Sequence, residues 1–126
     1  MKSALRYQVA ALCTVSIALV GLSSAQQGHA TKAKVPYSNV APLIKSQCMS
    51  CHNAKSHPEK IDLSSYQALM KSGEHGPIVV AGHPEKSKLI QYVDGTKKPR
   101  MPFKQPPMST ANIQLLKTWI AAGAKG

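Results

Sequence analysis

Apolar residues recur with helical spacing in four short stretches of the chain, and prolines and glycines separate these stretches. Serines at the beginning of two of them, Ser38 and Ser109, can act as N-caps, and glycines follow two of them, where a helix commonly ends. The pattern predicts helices from an N-cap at Ser38 to about Cys48, over residues 65–72, from Pro84 to Val93, and between Ser109 and Gly123.

The segments between these stretches do not follow the pattern of regular structure. Residues 52–61 are mostly polar, residues 73–83 hold three glycines and a proline, and residues 95–108 hold four prolines. We find no internal repeat and no convincing strand. The sequence therefore predicts an all-α fold of about four helices, whose long loops need a further group to pack against.

The first residues are typical of an export signal. Lys2 and Arg6 precede an apolar run over residues 9–22, which is shorter than the ~20 residues that a spanning helix needs. Small residues allow cleavage after Ala25 or, alternatively, after Ala30. We expect a signal peptide over residues 1–25 (or 1–30), a flexible lead-in over 31–37 and one domain over 38–124. We therefore expect a periplasmic protein without a membrane anchor. The alternative is that residues 9–22 remain as an uncleaved N-terminal anchor.

Charge and aromatic content narrow the choice of partners. The formal net charge is +11, and it becomes +9 once Lys2 and Arg6 are removed. An exported chain without aromatic residues interleaved among its charges is not expected to bind nucleic acid. One Trp, one Phe and four Tyr are few large side chains for about 100 residues. A flat apolar cofactor would supply the missing core.

The sequence Cys-Met-Ser-Cys-His at residues 48–52 carries the strongest chemical signal. Two cysteines separated by two residues can form thioether bonds to the vinyl groups of one haem, and the next residue, His52, can then bind its iron. A redox dithiol would require alternating strands and helices, which the pattern lacks. A zinc site that adds His57 would be too compressed for the usual ligand spacing. One covalent haem c on Cys48 and Cys51 is the prediction.

Several further motifs surround this one in a recurrent order. They comprise Gly73 with Gly76-Pro77, Gly82-His83-Pro84-Glu85-Lys86-Ser87-Lys88-Leu89, Met101-Pro102, and Trp119-Ile120 with Gly123-Ala124. With them the chain resembles the small class I-type cytochrome c domains, particularly the planctomycete-type cytochrome c family. Asn53 and Phe103 depart from that family's pattern. The resemblance implies that Met101 is the distal iron ligand and that the Gly76-Pro77 turn accepts a hydrogen bond from His52, which makes Pro77 a supporting residue.

Other residues compete for the distal position. Met108 precedes the predicted Ser109 cap and can pair with Ile113 as a hydrophobic staple, so we expect it to be structural. Met49 lies inside the attachment motif, and Met70 is expected in the core. The remaining histidines lie in loops and are expected to be solvated: His57, His75 and His83. We expect Trp119 to pack on the first helix rather than on a haem.

These features predict a monohaem electron carrier rather than an enzyme, without a small-molecule substrate. Two alternatives stay open: a haem subunit of a larger periplasmic oxidoreductase complex, and an open-site haem enzyme or sensor. Basic residues crowd around Met101, and no acidic residue follows Gly95. We expect an acidic redox partner to dock there, on Lys97, Lys98, Arg100 and Lys104.

Overall fold

The computed structural model describes residues 34–126, so the predicted signal peptide lies outside the described residues. Within that range the chain forms four α-helices and two 3-10 turns and no strand, which confirms the predicted all-α fold. None of these helices is long and apolar enough to cross a membrane. The helices are α1 (Tyr37–Gln47), α2 (Tyr66–Lys71), α3 (Lys88–Val93) and α4 (Thr110–Ala121), and the turns are Pro58–Lys60 and Pro84–Lys86.

Two helices begin at serine caps, of which the sequence predicts the one at Ser109. The hydroxyl of Ser65 accepts a hydrogen bond from the Ala68 N–H (3.1 Å) at the start of α2. At the start of α4, the Ser109 hydroxyl accepts from the Asn112 N–H (3.2 Å). Each bond satisfies one of the backbone donors that a helix leaves free at its N-terminus. These caps fix where the loop before α2 and the loop before α4 end.

The start of α1 differs from the prediction. The helix begins at Tyr37 after Pro36, and Ser38 lies inside it without capping it. The reason is a contact from the far end of the chain: the Tyr37 N–H donates to the Lys125 carbonyl oxygen (3.0 Å). Pro42 consequently lies deeper in the helix than the sequence suggested, so one backbone hydrogen bond inside α1 is missing.

The predicted third helix is divided by Ser87. The 3-10 turn Pro84–Lys86 precedes Ser87, whose extended backbone (φ −78°, ψ 116°) separates it from α3. The Ser87 side chain is fully buried, and its hydroxyl accepts from the Val80 N–H (2.9 Å) and donates to the His83 carbonyl (2.9 Å). One continuous helix was therefore a wrong prediction. The buried hydroxyl ties the preceding loop to α3.

A second loop is held in the same way near α2. The buried Ser72 hydroxyl accepts from the Asp62 N–H (2.8 Å). Gly73 follows with φ +117°, and a side chain at this position would collide with the Gly76 carbonyl oxygen. Only glycine suits this turn. The loop between α2 and α3 is thereby folded back toward the segment that follows Cys51.

Helices α1 and α4 pack against each other and bring the two ends of the domain together. Trp119 is fully buried, its ring centroid lies 5.9 Å from that of Tyr37, and its Nε1–H donates to the Lys125 carbonyl (3.0 Å). Packing of Trp119 on the first helix is therefore confirmed. Around it lie the main core residues: Val40, Ile44, Leu69, Ile90, Leu116 and Ile120.

Replacing Ser87 by alanine should destabilise the protein by about 1–3 kcal/mol, because the substitution leaves the buried Val80 N–H without its partner and removes one of the two hydrogen bonds that the His83 carbonyl accepts. Urea unfolding followed by circular dichroism measures this effect. Ser38→Ala is the control, since Ser38 is exposed within α1 and its loss should change stability by no more than about 0.5 kcal/mol. Equal midpoints for the two variants would contradict the structural role of Ser87.

Candidate functional site

A cavity of about 1110 Å³ lies between the end of α1, the loop before α3, and α3 with the proline-rich loop that follows it. Its volume lies slightly above the usual range of small-molecule and cofactor sites, which span ~300–1,000 Å³. The cavity thus has room for a large flat group, which the scarcity of big side chains had suggested. Most of its wall is apolar and includes Ile61, Leu63, Ile78, Leu89, Tyr92, Val93, Pro99, Met101, Pro102, Phe103, Pro106 and Pro107.

The attachment motif forms one wall of this cavity. The Cys48 N–H donates to the Ile44 carbonyl (2.9 Å), which continues the hydrogen bonding of α1 by one residue. The His52 N–H then donates to the Cys48 carbonyl (3.0 Å). These two bonds turn the chain directly after the helix, so that Cys48, Cys51 and His52 all line the cavity. The structure brings together the three residues that the sequence selects.

The thiols do not resemble those of a redox-active dithiol. Cys48 is half-buried and Cys51 is exposed, and the two form no disulfide. Burial raises the pKa of the Cys48 thiol to about 11, so it is protonated at neutral pH. Reactive Cys-x-x-Cys motifs lower the thiol pKa instead. The absence of strands among residues 34–126 also removes the fold in which such motifs occur.

The proposed zinc alternative has no geometric support in the described part of the chain. Zinc would need Cys48, Cys51, His52 and His57 close together. Among residues 34–126, the only group of three or more possible metal ligands with atoms within 4.8 Å of one another is Glu59, Glu74 and His75. Neither cysteine belongs to it, and His57 does not line the cavity.

The imidazole of His52 has an unpaired nitrogen. Its Nδ1 is buried and has no hydrogen-bond partner among the described residues. The predicted hydrogen bond to the Gly76-Pro77 turn is therefore not formed, and Pro77 is exposed and outside the cavity wall. Neighbouring Ile78 does line the cavity. An imidazole next to two thiols, in the wall of an apolar cavity, nevertheless suits a residue that binds a metal-containing cofactor.

The two rival methionines lie in different environments. Met101 is half-buried in the cavity wall, and its N–H donates to the Tyr92 carbonyl at the end of α3 (2.9 Å). Met108 is 6 % exposed and belongs to the hydrophobic core, against which Ile113 also packs. Met49 and Met70 pack against the same core and do not line the cavity. Of the four methionines that compete for the distal position, only Met101 lines the cavity.

The three loop histidines are all exposed, but they differ in their position relative to the cavity. His57 and His83 are exposed away from the cavity, and His83 Nδ1 lies 3.1 Å from Glu85 Oε1. His75 is exposed as expected, but it also lines the cavity. Its carbonyl accepts a hydrogen bond from Lys88 Nζ (2.7 Å). This bond connects the loop after α2 to α3, and both of its residues line the cavity.

Asn53 and Lys88 are structural contributors that sequence reasoning missed. The Asn53 side chain accepts from the Lys55 and Ser56 N–H groups (3.0 Å each) and donates to the Met49 carbonyl (2.9 Å). Asn53 thereby holds the attachment turn to the loop that follows it. Its position directly after His52, where the resembling family often has glycine, was the available signal. No sequence pattern indicates the contact of Lys88 with His75.

A comparison with known families bears on this site. The family described as Planctomycete cytochrome C matches residues 48–105. The match agrees with the resemblance that the sequence motifs indicate. The matched segment begins at the first cysteine of the attachment motif and ends in the loop that carries Met101. No curated protein and no solved structure matches the chain. The match supports a haem-binding cytochrome, and the matched family implies covalently bound haem c.

Proposed function

We propose that the protein is a periplasmic monohaem cytochrome c that carries one electron between partner proteins. The observation that supports this most is the cavity, since one apolar space is lined by Cys48, Cys51, His52 and Met101. Two thiols, an imidazole and a thioether are the donor set of a covalently attached haem with sulfur as distal ligand. The single attachment motif in the chain corresponds to one haem.

Each of these residues has a separate task in the proposal. Cys48 and Cys51 would hold the haem covalently, His52 would bind the iron through Nε2, and Met101 would bind it from the loop after α3. The haem supplies a single iron that alternates between the ferric and ferrous states. A thioether ligand favours the ferrous state and raises the potential. With His52 and Met101 both bound, no coordination position is left for a substrate, which favours a carrier over an enzyme.

The proposed partner is an acidic redox protein that docks on the loop around Met101. Lys97, Lys98 and Lys104 are exposed there, and no acidic residue follows Gly95. Positive charge beside the cofactor speeds the encounter with an acidic partner and loses effect as salt screens it. Arg100 has a different task, since its Nη2 donates to the Gln105 carbonyl (3.0 Å) and closes the loop.

The purified, exported protein should carry one covalent haem and titrate reversibly with a one-electron Nernst slope. Its ferric form should show the weak near-infrared absorbance of sulfur-ligated haem, because Met101 occupies the distal position. Mass spectrometry, absorbance and a redox titration measure these properties together. A second haem, a two-electron slope, or an open distal site that binds added cyanide without displacing a sulfur ligand would contradict the proposal.

A further inference from the structure

Phe103 is the one large hydrophobic side chain that is strongly exposed between residues 34 and 126. Its exposed fraction is 54 %, and it nevertheless lines the cavity. A single exposed apolar residue is common on protein surfaces. Phe103 differs because exposed prolines of the same cavity wall extend it into an apolar rim. These are Pro99, Pro106 and Pro107.

The loop presents Phe103 in a defined position. The Gln105 N–H donates to the Pro102 carbonyl (3.3 Å), so that Phe103 lies within a turn. The contact of Arg100 Nη2 with the Gln105 carbonyl closes the same loop from the other side. Because these bonds fix the backbone on both sides of Phe103, little conformational entropy is lost when its ring makes a contact.

Positive charge lies beside this aromatic ring and elsewhere on its loop. Lys104 Nζ lies 5.3 Å from the ring centroid, within the distance of a cation–π contact. Lys97 and Lys98 are exposed on the same loop. An aromatic residue inside a ring of polar or charged side chains is the usual composition of a protein interface, in which the apolar centre holds the partner and the rim orients it.

We propose that Phe103, together with Lys97, Lys98 and Lys104, forms a docking surface whose apolar anchor is Phe103. The partner that fits is a protein with carboxylates around an apolar contact. This inference rests on the proposed electron-carrier function, and it adds the residue that holds the partner at the edge of the cavity. The lysines attract and orient the partner, while Phe103 slows its dissociation.

The test uses the haem-loaded protein on gold electrodes with two monolayers of equal carboxylate content, one diluted with methyl-terminated and the other with hydroxyl-terminated alkanethiols. Phe103→Ser should raise the half-saturating protein concentration about tenfold on the methyl-diluted layer. On the hydroxyl-diluted layer the change should stay within about twofold. Phe103→Leu should retain most of the wild-type affinity, because it keeps an apolar side chain. Equal losses of Phe103→Ser on both layers would overturn the proposal.

Charge variants test the rim of the same surface. Reversing Lys97 and Lys98 to Glu should weaken adsorption on both layers. Reversing Lys71 and Lys86 changes the net charge equally, and both are exposed on segments other than the Phe103 loop, without an ion pair among the described residues. If the second pair weakens adsorption as strongly as the first, the field of the whole molecule is responsible and the docking surface is refuted.

Two further readouts separate the possible failures. If Phe103→Ser shifts the haem spectrum or the urea midpoint, Phe103 supports the cofactor and the docking role is wrong. A reversible one-electron wave on the hydroxyl-diluted layer tests the proposed function by itself. If that wave is absent but adsorption on the methyl-diluted layer still depends on Phe103, the electron-carrier function is refuted and the docking surface is supported.

Discussion

Replacing both Cys48 and Cys51 by alanine should leave the exported protein with no covalently bound haem. Both thiols line the cavity beside His52, and the turn after α1 places them there. Without them, haem can be held only by its iron ligands and by apolar contacts, and denaturation then releases it. Mass spectrometry of denatured protein measures the result, since wild type should retain the mass of one haem and the double variant should have that of bare polypeptide.

The single variants keep this prediction testable when the double variant folds poorly. Cys48→Ala and Cys51→Ala should each keep one thioether and yield less haem protein. Cys13→Ala is the matched control, because Cys13 belongs to the predicted signal peptide and should leave with it. A double variant that retains haem after denaturation, or a wild-type protein that binds zinc in equal amount instead, would contradict covalent attachment.

The helix boundaries show how far local sequence can predict this fold. The predicted cap at Ser109 acts within its own first turn, so residue type and spacing suffice to locate it. The start of α1 was wrong because Lys125, near the opposite end of the chain, satisfies the Tyr37 N–H. Ser87 likewise ends one helix and begins another through its buried bond to Val80. Both departures depend on tertiary contacts, which a local pattern does not contain.

The site was predictable to the extent that its residues are neighbours in the chain. Cys48, Cys51 and His52 lie in one turn, so five residues of sequence bring them together. Met101 required the family resemblance, because its place in the cavity depends on the bond of its N–H to Tyr92. Contacts made by the loop after α2 were not predictable. The missing acceptor for His52 Nδ1 and the bond from Lys88 to His75 both depend on how that loop folds.

The distal ligand is tested by a matched pair of substitutions. Met101→Leu and Met108→Leu each remove one sulfur and nearly conserve side-chain volume, so the packing cost of either change should be less than about 1.5 kcal/mol. Met101→Leu should abolish the near-infrared absorbance of sulfur ligation. It should also lower the potential by roughly 100 mV or more, since axial ligands move haem potentials over about 0.8 V. Met108→Leu should preserve the absorbance and change the potential little.

Truncation separates the two roles further. Met108 is 6 % exposed in the core, so Met108→Ala should cost about 2–5 kcal/mol in urea unfolding while the remaining folded protein keeps its sulfur band. Met101 is only half-buried, and the main consequence of Met101→Ala should be spectral. Absorbance, redox titration and urea unfolding of all four variants show which methionine is the iron ligand and which is structural. If the sulfur band disappears with Met108→Leu and survives Met101→Leu, Met108 is the ligand and Met101 only lines the cavity.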